Sequence, residues 1–225
     1  MNSIQTKEVS FETPIGEVAM QISRDSDGLL ASKTETFGGY EPGLVHTLAA
    51  VLEPDDVLYD IGAGFGYNGT VARSVSVPQE NLHLFEIDEQ RAEICSENHP
   101  EATLNRSPVG DGDGETIAID SYTRSNPAPD VVTIDIEGLE VRALQGLRRT
   151  VATENPIVFV EVHPAFLSHF DAEVEEIHEI LEENDYDVLV GNHRTYPMEW
   201  CRRKGDPPIS RQAEIPTYTI FARPE

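Results

Sequence analysis

The segment Asp60-Ile61-Gly62-Ala63-Gly64-Phe65-Gly66 has the residue types and spacing that speak most directly of chemistry. Alternating glycines permit a tight turn and a close approach of the backbone to a ligand. An apolar run precedes them and a helical pattern follows, so the unpaired N–H groups of a helix N-terminus face the same ligand. Dinucleotide-binding loops use Gly-x-Gly-x-x-Gly, and the third glycine of that pattern would fall on Tyr67. Asp60 stands just ahead of the glycines. Its carboxylate would repel a pyrophosphate and attract an ammonium group, directly or through water. Together these features favour S-adenosylmethionine, whose methionine moiety carries an ammonium, over NAD. A turn without a ligand accounts for the glycines but not for Asp60.

Glu86 ends the next apolar run, about 20 residues after the loop, where an acid accepts hydrogen bonds from both hydroxyls of a ribose. In so acidic a chain, an ordinary surface acid is the competing reading. Asp88 reads as a helix N-cap. Asp135-Ile136-Glu137-Gly138 and Glu161-Val162-His163 close two further apolar runs. Ligands of open α/β sheets bind outside the carboxyl ends of strands, so these groups are expected on one rim. His163 is the candidate general base for a substrate hydroxyl, with Asp135 and Glu161 orienting it or binding sugar hydroxyls. The same cluster offers donors for magnesium or manganese, an option that the abundance of acids does not favour. The plain alternative is that Glu161 and His163 only cap a strand end. His178 and Cys95 fall within helical patterns and read as structural, while Trp200 and Cys201 are candidates for a substrate-pocket wall.

The elements that must position these residues alternate along the chain. Short strands surround the turns at Pro14-Ile15-Gly16 and Asp25-Ser26-Asp27-Gly28. Apolar periodicity predicts a helix over Glu41–Leu52. Strands are expected at Val57–Ile61, Leu82–Ile87, Ala102–Leu104, Thr116–Ile119, Asp130–Ile136 and Ile157–Val162. Helices are expected at Gly66–Ser76, Asp88–Asn98, Glu140–Val151 and Ala172–Glu183. Tyr186–Val190 and Tyr218–Ala222 are two last strands with no convincing helix between them, so they can pair antiparallel. Near-continuous apolar strands alternating with helices indicate an α/β fold with both sheet faces covered. The expected architecture is Rossmann-like: a mostly parallel seven-stranded sheet ending in a C-terminal antiparallel hairpin. Residues 1–39 form a β appendage and 40–225 the main domain.

Lys and Arg total 16 against 41 Asp and Glu, a formal net charge of −25. The acids are spread along the chain, which suggests a surface adapted to the salt-rich cytosol of a halophile. Such a surface repels nucleic acid and anionic lipid. Cys95 and Cys201 are expected as free thiols in a reducing compartment. The first ten residues lack the apolar core of a signal peptide, and no apolar run reaches the ~20 residues of a membrane span. A cytoplasmic location follows as the expectation.

The chain resembles the FkbM family of methyltransferases from about Tyr40 to Val190. The likeness rests on Tyr40-Glu41-Pro42, Asp60-Ile61-Gly62-Ala63 with Gly66-Tyr67, and Phe85-Glu86. It continues through Val109-Gly110-Asp111, Gly114 and Asp120. Its most specific part is Val132-Thr133-Ile134-Asp135-Ile136-Glu137-Gly138-Leu139-Glu140, then Leu144, Gly146 and Pro156 through His163. The resemblance implies a class I methyltransferase fold, S-adenosylmethionine as donor, and transfer usually to oxygen, often of sugar or polyketide hydroxyls. It implies that Glu41 and Val109 also contact the cofactor, and that Asp135 and Glu137 belong to the active site. Two positions depart: Gly64 stands where the family commonly has asparagine, and Thr133 where it commonly has lysine. Arg142 and Arg194 are the candidates to replace that cation. The expected function is methyl transfer to a hydroxyl of a sugar, glycan or small metabolite. The alternatives are a non-catalytic S-adenosylmethionine-binding scaffold and, disfavoured by the loop spacing, an NAD-dependent oxidoreductase.

Overall fold

The structure is a computed structural model, and it describes residues 4–24, 39–202 and 217–224. Strands β1 (Thr6–Thr13) and β2 (Gly16–Ser23) pair antiparallel as a separate two-stranded sheet. Gly16, at φ 123°, takes the turn conformation that L side chains resist. The second expected turn, Asp25 to Gly28, lies outside the described residues. The hairpin is tied to the main domain by Asn98, which accepts from the Gln21 amide at 2.8 Å and donates to its carbonyl at 2.9 Å.

The main domain runs α1 (Pro42–Val51), β3 (Leu58–Ile61), α2 (Tyr67–Ser74), β4 (Leu82–Phe85), α3 (Glu89–Asn98) and β5 (Thr103–Asn105). It continues with α4 (Ile119–Tyr122), β6 (Val131–Ile134), α5 (Glu140–Gln145), α6 (Arg148–Glu154), β7 (Ile157–Val162) and α7 (Pro164–Leu167). It ends with α8 (Val174–Glu182), β8 (Tyr186–Gly191), β9 (Cys201–Arg202) and β10 (Tyr218–Pro224). The sheet order is β5-β4-β3-β6-β7-β10-β8-β9. Strands β5, β4, β3, β6 and β7 are mutually parallel, while β10 runs antiparallel to both β7 and β8. The carboxyl end of β8 therefore shares a rim with those of β3, β4, β6 and β7.

Every residue of β3, β4 and β6 is buried, as central parallel strands covered on both faces require. One face carries Leu44, Leu48, Val71, Ala72 and Cys95 from α1, α2 and α3. The other carries Val141, Leu144, Val151, Ile177 and Leu181 from α5, α6 and α8. Asp88 caps α3 by accepting from the Arg91 amide at 2.8 Å, in the role its type and position suggest.

Four local expectations change. Thr116–Ile119 is not a strand: Ile117 makes one isolated parallel bridge with Val109, and α4 begins at Ile119. The helix expected over Glu140–Val151 divides at Gly146, where a Cβ would stand 1.9 Å from the Gly110 carbonyl oxygen. The two-residue β9 pairs antiparallel with β8, so the sheet gains an eighth strand at its edge. Between β7 and α8 the chain adds α7 and a 3₁₀ turn at Ser168–Phe170, which periodicity alone does not announce.

Candidate active site

A cleft of ≈ 630 Å³ opens along the shared rim, within the usual range for small-molecule sites. Its wall includes Glu41, Gly62, Ala63, Gly64, Glu86 and Val109. It also includes Asp135, Glu137, Glu161 and His163, so the strand ends bring these four together. Met20 and Ile22 of the hairpin contribute as well, so the appendage forms part of the cleft. Asp60 and Gly66 are not among the residues that line it. Nor are Trp200 and Cys201. The Trp200 indole donates to Thr47 Oγ1 at 3.2 Å and packs on Phe221, and Cys201 is exposed on the edge strand.

The glycines of the loop after β3 have three different reasons. All three have positive φ: Gly62 at 90°, Gly64 at 55° and Gly66 at 87°. A Cβ on Gly62 would lie 1.9 Å from the Asp135 carbonyl oxygen, so this glycine lets two strand ends touch. A Cβ on Gly66 would meet the His99 ring at 2.5 Å. Gly64 has nothing within 4 Å and is the glycine that leaves room on the cleft side. Asp60, 1% exposed, accepts from Thr133 Oγ1 at 2.6 Å and Asn68 Nδ2 at 3.1 Å. Its Oδ2 has no protein partner among the described residues. Burial pushes the carboxyl up to about 6, against the two hydrogen bonds and with some help from the charge of Glu86. Asp60 thus reaches the cleft only through Asn68 and Thr133, which do line it.

Glu86 is aimed by the backbone. Its Oε2 accepts from the Gly64 amide and its Oε1 from the Asp88 amide, each at 2.8 Å. A carboxylate oxygen has further lone-pair capacity, so the fixed Glu86 can still accept from two vicinal hydroxyls. Glu41 precedes α1 at φ 49° and its side chain makes no capping bond. Glu41 is buried and lines the cleft. Tyr40 beside it has its phenol held well above the usual value, first by the Glu41 charge, then by burial and by Asp135 and Glu161.

Glu161 and His163, on alternate positions at the end of β7, meet the ends of two other elements. Glu161 Oε1 lies 3.2 Å from Arg194 Nη2, 3.2 Å from His193 Nε2 and 3.7 Å from His163 Nε2. Burial would raise its pKa, but His193, His163 and Arg194 outweigh burial and hold it below the usual carboxylate range. Glu161 is accordingly a poor proton acceptor. His163 Nδ1 lies 2.7 Å from Glu140 Oε1, and its Nε2 lies 3.7 Å from Asp135 Oδ1. Burial would lower its pKa; the bond with Glu140 and the charges of Glu161, Glu140 and Glu137 reverse that, so the net shift is upward. Phe166 of α7 stacks on the imidazole at 5.9 Å.

Sequence reasoning does not single out Glu140 or His193 as site residues, and it offers Arg194 only as one of two substitutes for a missing cation. Arg142 is exposed on α5 and does not line the cleft, whereas Arg194 does. Arg194 follows β8, is buried, and donates to Thr217 just before β10 as well as to Glu161. Thr133, the other departure, is occupied by Asp60. Two sets of side chains bring donor atoms within 4.8 Å of one another: Asp135, Glu161 and His163, and Glu41, Glu161 and His193. Both need Glu161, whose Oε1 already faces the Arg194 guanidinium. The donor set therefore suits an internal cation better than a bound metal ion.

Residues 90–188 match the family model described as Methyltransferase FkbM domain. That stretch, from α3 into β8, is similar to the FkbM methyltransferase domain. S-adenosylmethionine-dependent methyl transfer is the activity that this match supports. No curated protein matches the sequence. Among solved structures, the chain is similar to a TehB-like S-adenosylmethionine-dependent methyltransferase from Corynebacterium glutamicum, with TM-score 0.53 and 12% identity over 88% of this chain and 97% of that one. It is similar to an rRNA methylase from Streptococcus thermophilus, with TM-score 0.51 and 11% identity over 79% and 91%. It is also similar to the methyltransferase FkbM from Methylobacillus flagellatus, with TM-score 0.50 and 17% identity over 76% of this chain and 45% of that one. At these identities the structural likeness speaks for the fold: Rossmann-like, of the class I methyltransferase type. No helix among the described residues is long and apolar enough to cross a membrane.

Proposed function

We propose that this methyltransferase methylates a hydroxyl oxygen of an uncharged, polyhydroxylated acceptor, a sugar or a small metabolite. The observation that carries the reading is His163: its Nδ1 is engaged by Glu140, and its Nε2 faces the cleft beside Asp135. Glu86 would hold ribose hydroxyls, and the backbone of Gly62, Ala63 and Gly64, with Glu41 and Val109, would enclose the rest of the cofactor. When bound, S-adenosylmethionine supplies an electrophilic methyl carbon on a sulfonium. His163 Nε2 takes the acceptor's hydroxyl proton. Asp135 and Glu137 accept hydrogen bonds from neighbouring hydroxyls and fix the acceptor's orientation, which contributes much of the rate. Glu161, held ionised against the Arg194 guanidinium, takes no proton itself. The acid-lined cleft and the net charge of −25 disfavour polyanionic acceptors, nucleic acid included. The same charge, with the free thiols Cys95 and Cys201, supports a reducing, salt-rich cytoplasm as the working environment.

Methyl-labelled S-adenosylmethionine offered with sugars, polyols, amines and a ribosomal RNA fragment tests the proposal. The expected outcome is label on a hydroxyl compound, and a fall in kcat of about 10²- to 10⁴-fold in His163→Gln with cofactor affinity retained. Label only on amines or RNA would overturn the acceptor class. Cofactor binding with no transfer to any acceptor would favour a scaffold.

A further inference from the structure

We propose that Glu140 is a positioning residue: it binds the Nδ1–H of His163 and so leaves Nε2 as the proton-accepting nitrogen that faces the cleft. This rests on the reading of His163 as general base. Glu140 ends the stretch that most resembles the FkbM family, but its local sequence suggests no role for it: it opens α5 as one more acid in an acidic chain. Yet it is 0% exposed, and its Oε1 lies 2.7 Å from His163 Nδ1. Its Oε2 has no hydrogen-bond partner among the described residues. A buried carboxylate costs several kcal/mol unless paired, and His163 is the partner in place.

The turn between β6 and α5 makes this pairing. Glu137 and Gly138 take φ 46° and 106°, which reverses the chain and sends Glu140 inward instead of along the rim. Gly138 also admits Phe166: a Cβ there would stand 2.9 Å from the Phe166 Cβ, and Phe166 is the ring that stacks on His163. The imidazole is thus fixed from three sides, with Glu140 at Nδ1, Phe166 on its face, and Asp135 and Glu161 at 3.7 Å from Nε2. Glu137 adds charge from the turn, while Arg194 and His193 face the far partner, Glu161. A hydrogen bond at one ring nitrogen decides which tautomer the neutral imidazole adopts. Neither Asp135 nor Glu161 approaches Nε2 closely enough to fix a proton there, so Glu140 decides.

Long-range ¹H–¹⁵N NMR of the histidine rings reads this without an acceptor, with His163→Gln assigning the signal. In the unmodified protein, neutral His163 is expected as the Nδ1–H tautomer, titrating above the usual histidine midpoint. In Glu140→Gln the midpoint moves down and the tautomer preference weakens, while Glu140→Asp restores part of both. An Nε2–H tautomer in the unmodified protein, or a midpoint and tautomer indifferent to Glu140→Gln, would overturn the proposal. If the NMR result holds while His163→Gln leaves turnover unchanged, the pairing stands and the general-base reading alone is lost.

Discussion

Replacing Asp60 by asparagine changes how stability depends on pH, and the size of the change follows from burial. The Asp60 carboxyl is raised from 3.8 to about 6 because burial outweighs the hydrogen bonds from Thr133 and Asn68. A rise of about two pH units corresponds to about 3 kcal/mol between the two protonation states. Its folded value lies above its unfolded value. The stabilising contribution of the neutral acid is therefore complete below the unfolded pKa and is lost as pH rises through about 6. The asparagine side chain has no such titration, and its carbonyl can accept the same two bonds. Any constant cost of its amide cancels when two pH values are compared. Denaturant unfolding of both proteins at about pH 4.5 and about pH 8 is expected to show Asp60→Asn gaining about 2 kcal/mol relative to the parent at the higher pH. A difference independent of pH, or one favouring the parent at high pH, would mean that Asp60 is ionised and paired, and the burial reasoning would fail.

Gly62 and Gly64, the two loop glycines that line the cleft, are expected to fail differently. Gly62→Ala, with its Cβ 1.9 Å from the Asp135 carbonyl oxygen, loses the cooperative thermal transition, whereas Gly64→Ala keeps the fold and loses cofactor affinity. Arg194→Ala strands the buried Glu161 charge and costs about 3–5 kcal/mol by denaturant unfolding, part of which Glu161→Gln in the same chain restores. Raising KCl from about 0.1 M to about 1 M shortens the screening length from about 10 Å to about 3 Å. With a net charge of −25 the melting temperature is expected to climb across that range, and a flat response would contradict the halophilic reading.

The strands and the rim are legible in the sequence because apolar runs and the acids that end them are local signals. Asp135, Glu161 and His163 can be placed together for that reason, since parallel strands deliver their carboxyl ends to one edge. Asp60 reads as facing a ligand because its position in the loop is visible, whereas its burial depends on Thr133 from the next strand and Asn68 from α2. Glu140 looks like any acid at a helix start, since only the reversal at Glu137-Gly138 turns it inward. His193 and Arg194 arrive from the loop after β8, and their reach to Glu161 depends on β8 running parallel to β7. Gly146 breaks its helix against Gly110, a contact between segments distant in sequence.

The central claim is that S-adenosylmethionine binds in the cleft against Glu86. Calorimetric titration with S-adenosylmethionine and with NAD, in molar KCl, tests it on the unmodified protein and on Glu86→Ala. Binding of S-adenosylmethionine and not NAD is expected, with affinity falling at least about tenfold in the variant, since a hydrogen bond to a charged group contributes about 1.5–3 kcal/mol. Binding of NAD instead, or S-adenosylmethionine affinity unchanged by the loss of Glu86 in a folded protein, would contradict it.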